Sequence, residues 1–269
     1  MKLGFIGTGN LASAILNGVL AAGAKTPGEI VVFDRDTDKT AALAAQTGVA
    51  VAPCAADVAA ACGILFVAVK PKDVAAVAAE IRAAALQNGA VVVSTAAGTP
   101  LSALEAAYGA NCKLVRIMPN VNAAVGQSMT ALCRNATVSD AEFDAVCAIC
   151  DAFGRSIRLP EAQFSVFTAV AGSAPAFAYL FADALTNAGI RGGMTAADAQ
   201  LAAAQMLLGS AQMLLESGKP VSDLVRSVCS PGGTTIEGVC SLKADGFEGA
   251  VIRAIDATVA RDRAMTKER

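Results

Sequence analysis

The sequence predicts an α/β protein, with a doubly wound, mostly parallel sheet at the N-terminal end followed by an all-helical domain. Three observations carry this reading. Short apolar runs alternate with alanine-rich helical stretches through Met118, the strand signal stops after Pro160, and apolar residues recur at helical spacing from Phe164 onward. Strands alternating with helices of ten or more residues imply βαβ units and a parallel sheet buried on both faces. The expected division is 1–160 for the sheet domain and 161–269 for the helical one.

The strand candidates are Leu3–Ile6, Ile30–Phe33, Ile64–Val69, Ala90–Val93 and Leu114–Met118. Ser128–Cys133, a helical stretch near Ser139–Phe153 and Arg155–Leu159 extend the same sheet. The helical candidates beyond it are Phe167–Gly189, Thr195–Gly218, Val221–Val228, Thr234–Leu242 and Phe247–Arg263. Thr195 with Asp198 three residues on reads as a capped helix start, and Gly189 and Gly218 read as helix stops. Leu201, Met206, Leu207, Leu208, Met213, Leu214 and Leu215 cover more than one helix face. Such a helix must be buried against something, and a second copy of the chain is the simplest candidate.

The chain has 269 residues, 55% of them hydrophobic, with 21 Lys and Arg against 23 Asp and Glu, which excludes disorder. A net charge of −2 with scattered positive residues gives no patch for nucleic acid. Mean hydropathy is +0.53, much of it from alanine. A spanning helix needs about 20 consecutive apolar residues, whereas the apolar stretches are broken by Gly, Asp, Gln or Lys within about ten to fourteen. The N-terminal apolar run is too short for a signal peptide. No membrane association and a cytoplasmic location are therefore expected. Eight cysteines in Ala/Val/Leu-rich stretches read as reduced thiols, and Cys147 and Cys150 have neither a second CxxC nor any histidine to complete a metal site.

Gly7-Thr8-Gly9-Asn10-Leu11-Ala12 places G-x-G-x-x-A between the first strand and a helical run, Ala12–Ala22. The first glycine makes the tight turn, the second lets a pyrophosphate approach the backbone, and the small third residue permits helix–strand packing. The helix N-terminus adds free N–H groups and partial positive charge. Strand, motif and helix together predict a Rossmann-type dinucleotide site. At the end of the second strand, Asp34 suits the ribose 2′-OH of NAD and Arg35 the 2′-phosphate of NADP; a turn whose charges merely face water is the alternative. The planar guanidinium tips the expectation towards NADPH over NADH.

Ser230-Pro231-Gly232-Gly233-Thr234-Thr235 lies between two helical segments. Two glycines before a Thr-Thr pair expose consecutive N–H groups at a helix start, which suits a carboxylate or a phosphate. An ordinary capped helix start gives the same pattern.

On these motifs the sequence resembles the Δ1-pyrroline-5-carboxylate reductase family. The likeness also runs through Val67-Ala68-Val69-Lys70-Pro71, Ala96-Ala97-Gly98, Arg116-Ile117-Met118-Pro119-Asn120 and Gly172–Phe177. It departs at Ala171 and Ala174, where the family usually has Ser and Gly, and at Val121-Asn122, where Thr-Pro is usual. The resemblance implies hydride transfer from NAD(P)H to the C=N carbon of L-1-pyrroline-5-carboxylate, giving L-proline, in a homodimer or a ring of dimers. It implies that Thr235 hydrogen-bonds the imine nitrogen, while Ser230, Gly232, Gly233 and Thr234 form the carboxylate cradle. Gly7, Thr8, Gly9, Asn10, Leu11, Asp34 and Arg35 then hold the rest of the cofactor. Ala68, Val69, Lys70, Pro71, Thr95, Ala97 and Asn120 fall at the nicotinamide side, and no metal is implied.

The absence of histidine agrees with this chemistry. A carbonyl reductase needs a group of suitable pKa for a developing alkoxide, whereas a cyclic imine can be protonated before hydride arrives. A β-hydroxyacid dehydrogenase shares the architecture but places a lysine one turn past a glycine motif, and Gly172–Asp183 contains none. A non-catalytic NAD(P)-binding sensor has no use for the carboxylate cradle at Ser230–Thr235.

Overall fold

A computed structural model describes residues 1–267; positions 268 and 269, the last two of the expected second domain, lie outside the described residues. The chain divides into two compact units. The first comprises Met1–Gly172 together with the last stretch of chain from Val259, and the second is Ser173–Thr258.

The first unit is built as β1 (Leu3–Ile6), α1 (Asn10–Ala21), β2 (Ile30–Phe33), α2 (Thr37–Thr47), β3 (Ala50–Val51), α3 (Ala55–Ala61), β4 (Ile64–Val67), α4 (Val74–Asn88), β5 (Val91–Ser94), α5 (Leu101–Tyr108) and β6 (Lys113–Met118). It continues through β7 (Ser128–Arg134), α6 (Asp140–Asp151), β8 (Gly154–Arg158) and a single turn, α7 (Phe164–Phe167). The sheet has the order β3-β2-β1-β4-β5-β6-β7-β8 and is parallel except between β6 and β7. Every residue of β1, β4 and β5 is buried, as a sheet covered on both faces requires. One apolar cluster, with Phe5, Phe66, Val93 and Phe153, fills one face, and another, with Leu65, Ile81, Leu104 and Tyr108, fills the other.

Between α7 and the next helix the chain makes a π-helical turn, Thr168–Ser173, within what the sequence reads as one helix from Phe167. Asn120 Nδ2 donates to the Ala171 carbonyl at 2.9 Å and so satisfies an acceptor in this wide turn.

The second unit holds α8 (Pro175–Arg191), α9 (Ala196–Glu216), α10 (Val221–Val228), α11 (Thr234–Ala244) and the start of α12 (Phe247–Lys267). Thr195 is the N-cap of α9, its hydroxyl accepting from Asp198 N at 3.1 Å. Gly189 differs from its expected role. It lies inside α8, and a Cβ there would stand 2.9 Å from that of Ala199, so the missing side chain serves close packing of α8 on α9 rather than a helix stop. Few apolar side chains of this unit are covered: Leu180 is 70% exposed and Leu201 68%.

The run Glu161–Arg191 is long and apolar enough to cross a membrane by length and composition, against the expectation that every apolar stretch is too short. Alanine and glycine keep it apolar without a long row of large side chains.

Candidate active site

The C-terminal ends of β1, β2, β4 and β5 open onto a cleft of about 730 Å³ in the first unit. Its wall includes Gly7, Gly9, Asn10 and Leu11 from the turn into α1, Asp34 and Arg35 after β2, Ala68, Val69, Lys70 and Pro71 after β4, and Thr95 and Ala97 after β5. Thr8 and Asn120 are not in the wall. Both are buried; Asn120 holds the π-turn, and Thr8 holds Asp34.

The turn has the geometry a pyrophosphate needs. Gly7 has φ +93°, and a Cβ there would fall 2.7 Å from the Ala68 carbonyl oxygen, so only glycine fits. Gly9 is the N-cap of α1 and faces open space, with no side chain capping the helix. The first N–H groups of α1 are therefore left for an anion.

Asp34 is fully engaged with protein. Its Oδ2 accepts from Thr8 N at 2.7 Å and Thr8 Oγ1 at 3.2 Å, and its Oδ1 accepts from Asp36 N at 3.0 Å. Burial pushes this carboxyl's pKa up, but the bonds from Thr8 and Asp36 and the charge of Lys39 outweigh it, and the net shift is downward. Arg35 is 80% exposed and rests only loosely on Asp73 at 3.4 Å. Lys39 also lines the cleft and pairs with Asp36 at 2.9 Å. Sequence reasoning missed Lys39, although Asp36 as N-cap of α2 puts it one turn inside the helix, beside the Asp34–Arg35 edge. Glu80, also missed, lines the cleft and accepts from Ala55 N at 3.1 Å.

Ser230, Gly232, Gly233, Thr234 and Thr235 belong to the second unit. Gly232 has φ +66°, and a Cβ on Gly233 would lie 2.2 Å from Ser230 Oγ. The left-handed backbone at Gly232 calls for glycine and a side chain on Gly233 would displace the Ser230 hydroxyl; the turn closes with Gly233 N donating to Ser230 O at 3.1 Å. Gly233 is the N-cap of α11 and offers no side-chain acceptor, so the N–H groups of the first turn stay available for an anion.

A doubly wound sheet with a glycine turn at the switch of strand order, followed by helices with uncovered apolar faces, defines a dinucleotide-dependent oxidoreductase with a helical assembly region. Residues 2–98 match the family described as NADP oxidoreductase, coenzyme F420-dependent, and residues 161–265 match pyrroline-5-carboxylate reductase dimerisation. The pyrroline-5-carboxylate reductase of Escherichia coli (strain K12) is 41% identical over 266 residues, 99% of this chain and 98% of that protein. The solved pyrroline-5-carboxylate reductase of Coxiella burnetii has a TM-score of 0.94 at 31% identity, covering 98% of each chain. The pyrroline carboxylate reductase of Plasmodium falciparum, solved with NADP bound, has a TM-score of 0.87 at 28% identity, covering 99% of this chain and 98% of that one. The chain belongs to the pyrroline-5-carboxylate reductase family.

Proposed function

We propose that the chain reduces L-1-pyrroline-5-carboxylate to L-proline with NADPH as the preferred donor, the cleft of the first unit holding the cofactor and the Ser230–Thr235 turn of the second holding the substrate carboxylate. The observation that carries this reading is the second turn. A left-handed glycine, a second glycine packed on the Ser230 hydroxyl and an uncapped helix N-terminus in the assembly unit make a cradle for a small carboxylate, which a dehydrogenase working on the cofactor domain alone does not need. NADPH, when bound, supplies the hydride to the C=N carbon.

The chain's own residues do the rest. Gly7, Gly9, Asn10 and Leu11 take the pyrophosphate, and Arg35 takes the 2′-phosphate. Asp34 already spends both oxygens on backbone N–H groups, so it favours a turn-holding role over ribose recognition. Ala68, Val69, Lys70, Pro71, Thr95 and Ala97 shape the nicotinamide end. Ser230, Gly233 and Thr234 hold the substrate carboxylate, and the Thr235 hydroxyl orients the imine nitrogen, which leaves as a protonated secondary amine. Positioning and charge complementarity supply the rate.

A homodimer, alone or within a ring of dimers, covers the apolar faces of α8 and α9; on this reading the run Glu161–Arg191 meets protein rather than lipid. The division at 160/161 is supported by the start of the dimerisation match at residue 161. A cytoplasmic location fits eight cysteines that all carry free thiols. The test is to follow NADPH and NADH absorbance separately with pyrroline-5-carboxylate. Rapid oxidation with NADPH favoured is expected; no oxidation, with turnover of a β-hydroxyacid and NADP⁺ instead, overturns the reading.

A further inference from the structure

Arg116 is the one charged residue buried among the described residues, and the cofactor and substrate sites as proposed do not use it. Its side chain is 8% exposed, its guanidinium lies 4.5 Å above the Phe164 ring, and Nη1 donates to Glu161 Oε1 at 2.9 Å. The same Oε1 accepts from Leu101 N at 2.7 Å. A buried guanidinium must be paired, so the ion pair is held in place and its shared oxygen is a fixed point. Leu101 is the first residue of α5, where N–H groups lack helical partners and an acid is favoured.

The segment that ends at Leu101 is the one that lines the cleft after β5. Its entry is tied to β4, with Thr95 N donating to Val67 O at 3.2 Å, and its middle turns through Gly98 at φ +67°. Its exit, just past Pro100, is tied by Glu161, 60 residues away in sequence.

We propose that Glu161, anchored by Arg116, is a positioning residue for hydride transfer: it clamps the Thr95–Pro100 segment against which the nicotinamide ring lies. The inference rests on the reading of Thr95 and Ala97 as nicotinamide-side residues. Misplacement of reacting atoms by about 1 Å costs on the order of a hundredfold in rate, so looseness at this exit falls on the chemical step. Substrate affinity, set in the second unit, is left alone.

The test compares wild type with Glu161→Ala and Glu161→Gln. In the absence of cofactor, Glu161→Ala should speed hydrogen exchange of the amides in residues 95–104. With substrate, its kcat should fall about tenfold, KM for the imine should stay within about twofold, and the isotope effect from NADPH deuterated at the transferred position should grow. Glu161→Gln keeps a carbonyl oxygen for Leu101 N and should recover most of kcat. Should Glu161→Ala not fold, Leu101→Pro against Leu101→Ala carries the same test. Proline at a first helical position is tolerated but removes the N–H, so its kcat should lie about tenfold below that of the alanine variant. Unchanged exchange at 95–104, or an unchanged kcat and isotope effect in an active enzyme, overturns the clamp. A wild type that ignores pyrroline-5-carboxylate instead defeats the functional reading and leaves the exchange result to decide the clamp.

Discussion

The backbone N–H and the hydroxyl of Thr8 both donate to Asp34 Oδ2, at 2.7 and 3.2 Å, so one carboxylate ties the glycine turn after β1 to the end of β2. Replacing Asp34 with Ala should loosen the turn proposed to receive the pyrophosphate common to both dinucleotides. NADPH and NADH should weaken together, by roughly tenfold for the loss of a charge-assisted bond, as read by cofactor fluorescence titration.

The same carboxyl gives a pH dependence of stability. Its folded-state pKa lies below the ordinary 3.8, so its contribution is complete above that value and is lost as pH falls through the lowered one. The difference in Tm between wild type and Asp34→Ala should be constant above that range and shrink below it. A difference that grows with acid contradicts the assignment.

Arg35 should separate the cofactors where Asp34 does not. Its guanidinium is 80% exposed and only loosely held by Asp73, free to take a 2′-phosphate that NADH lacks. Arg35→Ala should weaken NADPH by roughly ten- to a hundredfold and barely affect NADH. An equal effect on both, or none, removes Arg35 from the 2′-phosphate site.

The main strands of the sheet could be read from the sequence because each is a β-branched or apolar run long enough to stand out; β3, only Ala50–Val51, could not. The glycine turn and its cleft partners were legible because each sits at a strand end, where the fold dictates what opens. What escaped was set by distant partners. The π-turn at Thr168–Ser173 meets Asn120 from 51 residues away, and Glu161 meets Arg116 from 45 away. Nothing local in Glu161-Ala162-Gln163 marks a clamp on another helix, and nothing near Gly189 announces Ala199 against it.

Leu201, Leu208 and Leu215 recur every seven residues along α9 and are 68%, 60% and 61% exposed. This spacing puts them on one helix face, and the dimerisation match covers all three. Leu208→Asp or Leu215→Asp should place an unpaired carboxylate where the partner excludes water, a costly burial, and should shift light scattering from a dimer or larger species to monomer. A wild type that is monomeric, folded and active contradicts the assembly.

The role proposed for Thr235 in the chemistry has a structural alternative, a threonine that only serves its helix, and a substitution separates the two. Gly233, not a threonine, occupies the N-cap of α11, and Thr235 is the second residue of the helix with its side chain exposed. If its hydroxyl orients the imine nitrogen, Thr235→Val keeps the shape and loses the donor, and turnover should fall by roughly 10²-fold, the lower end for a positioned proton donor. Thr235→Ser should keep much of the rate. Cofactor affinity, assigned to the turn from Gly7 to Leu11 in the proposal, should hardly change in either variant. A threonine hydroxyl is too weak an acid to protonate the imine outright, so the nitrogen takes its proton from solution, and the hydroxyl orients the imine by donating a hydrogen bond to the nitrogen lone pair while it is unprotonated. The Val defect should therefore be shallower at low pH, where the imine is already protonated. The measurement is kcat at saturating cofactor and substrate across pH. A Val variant with near-normal turnover throughout shows that Thr235 serves its helix and not the reaction.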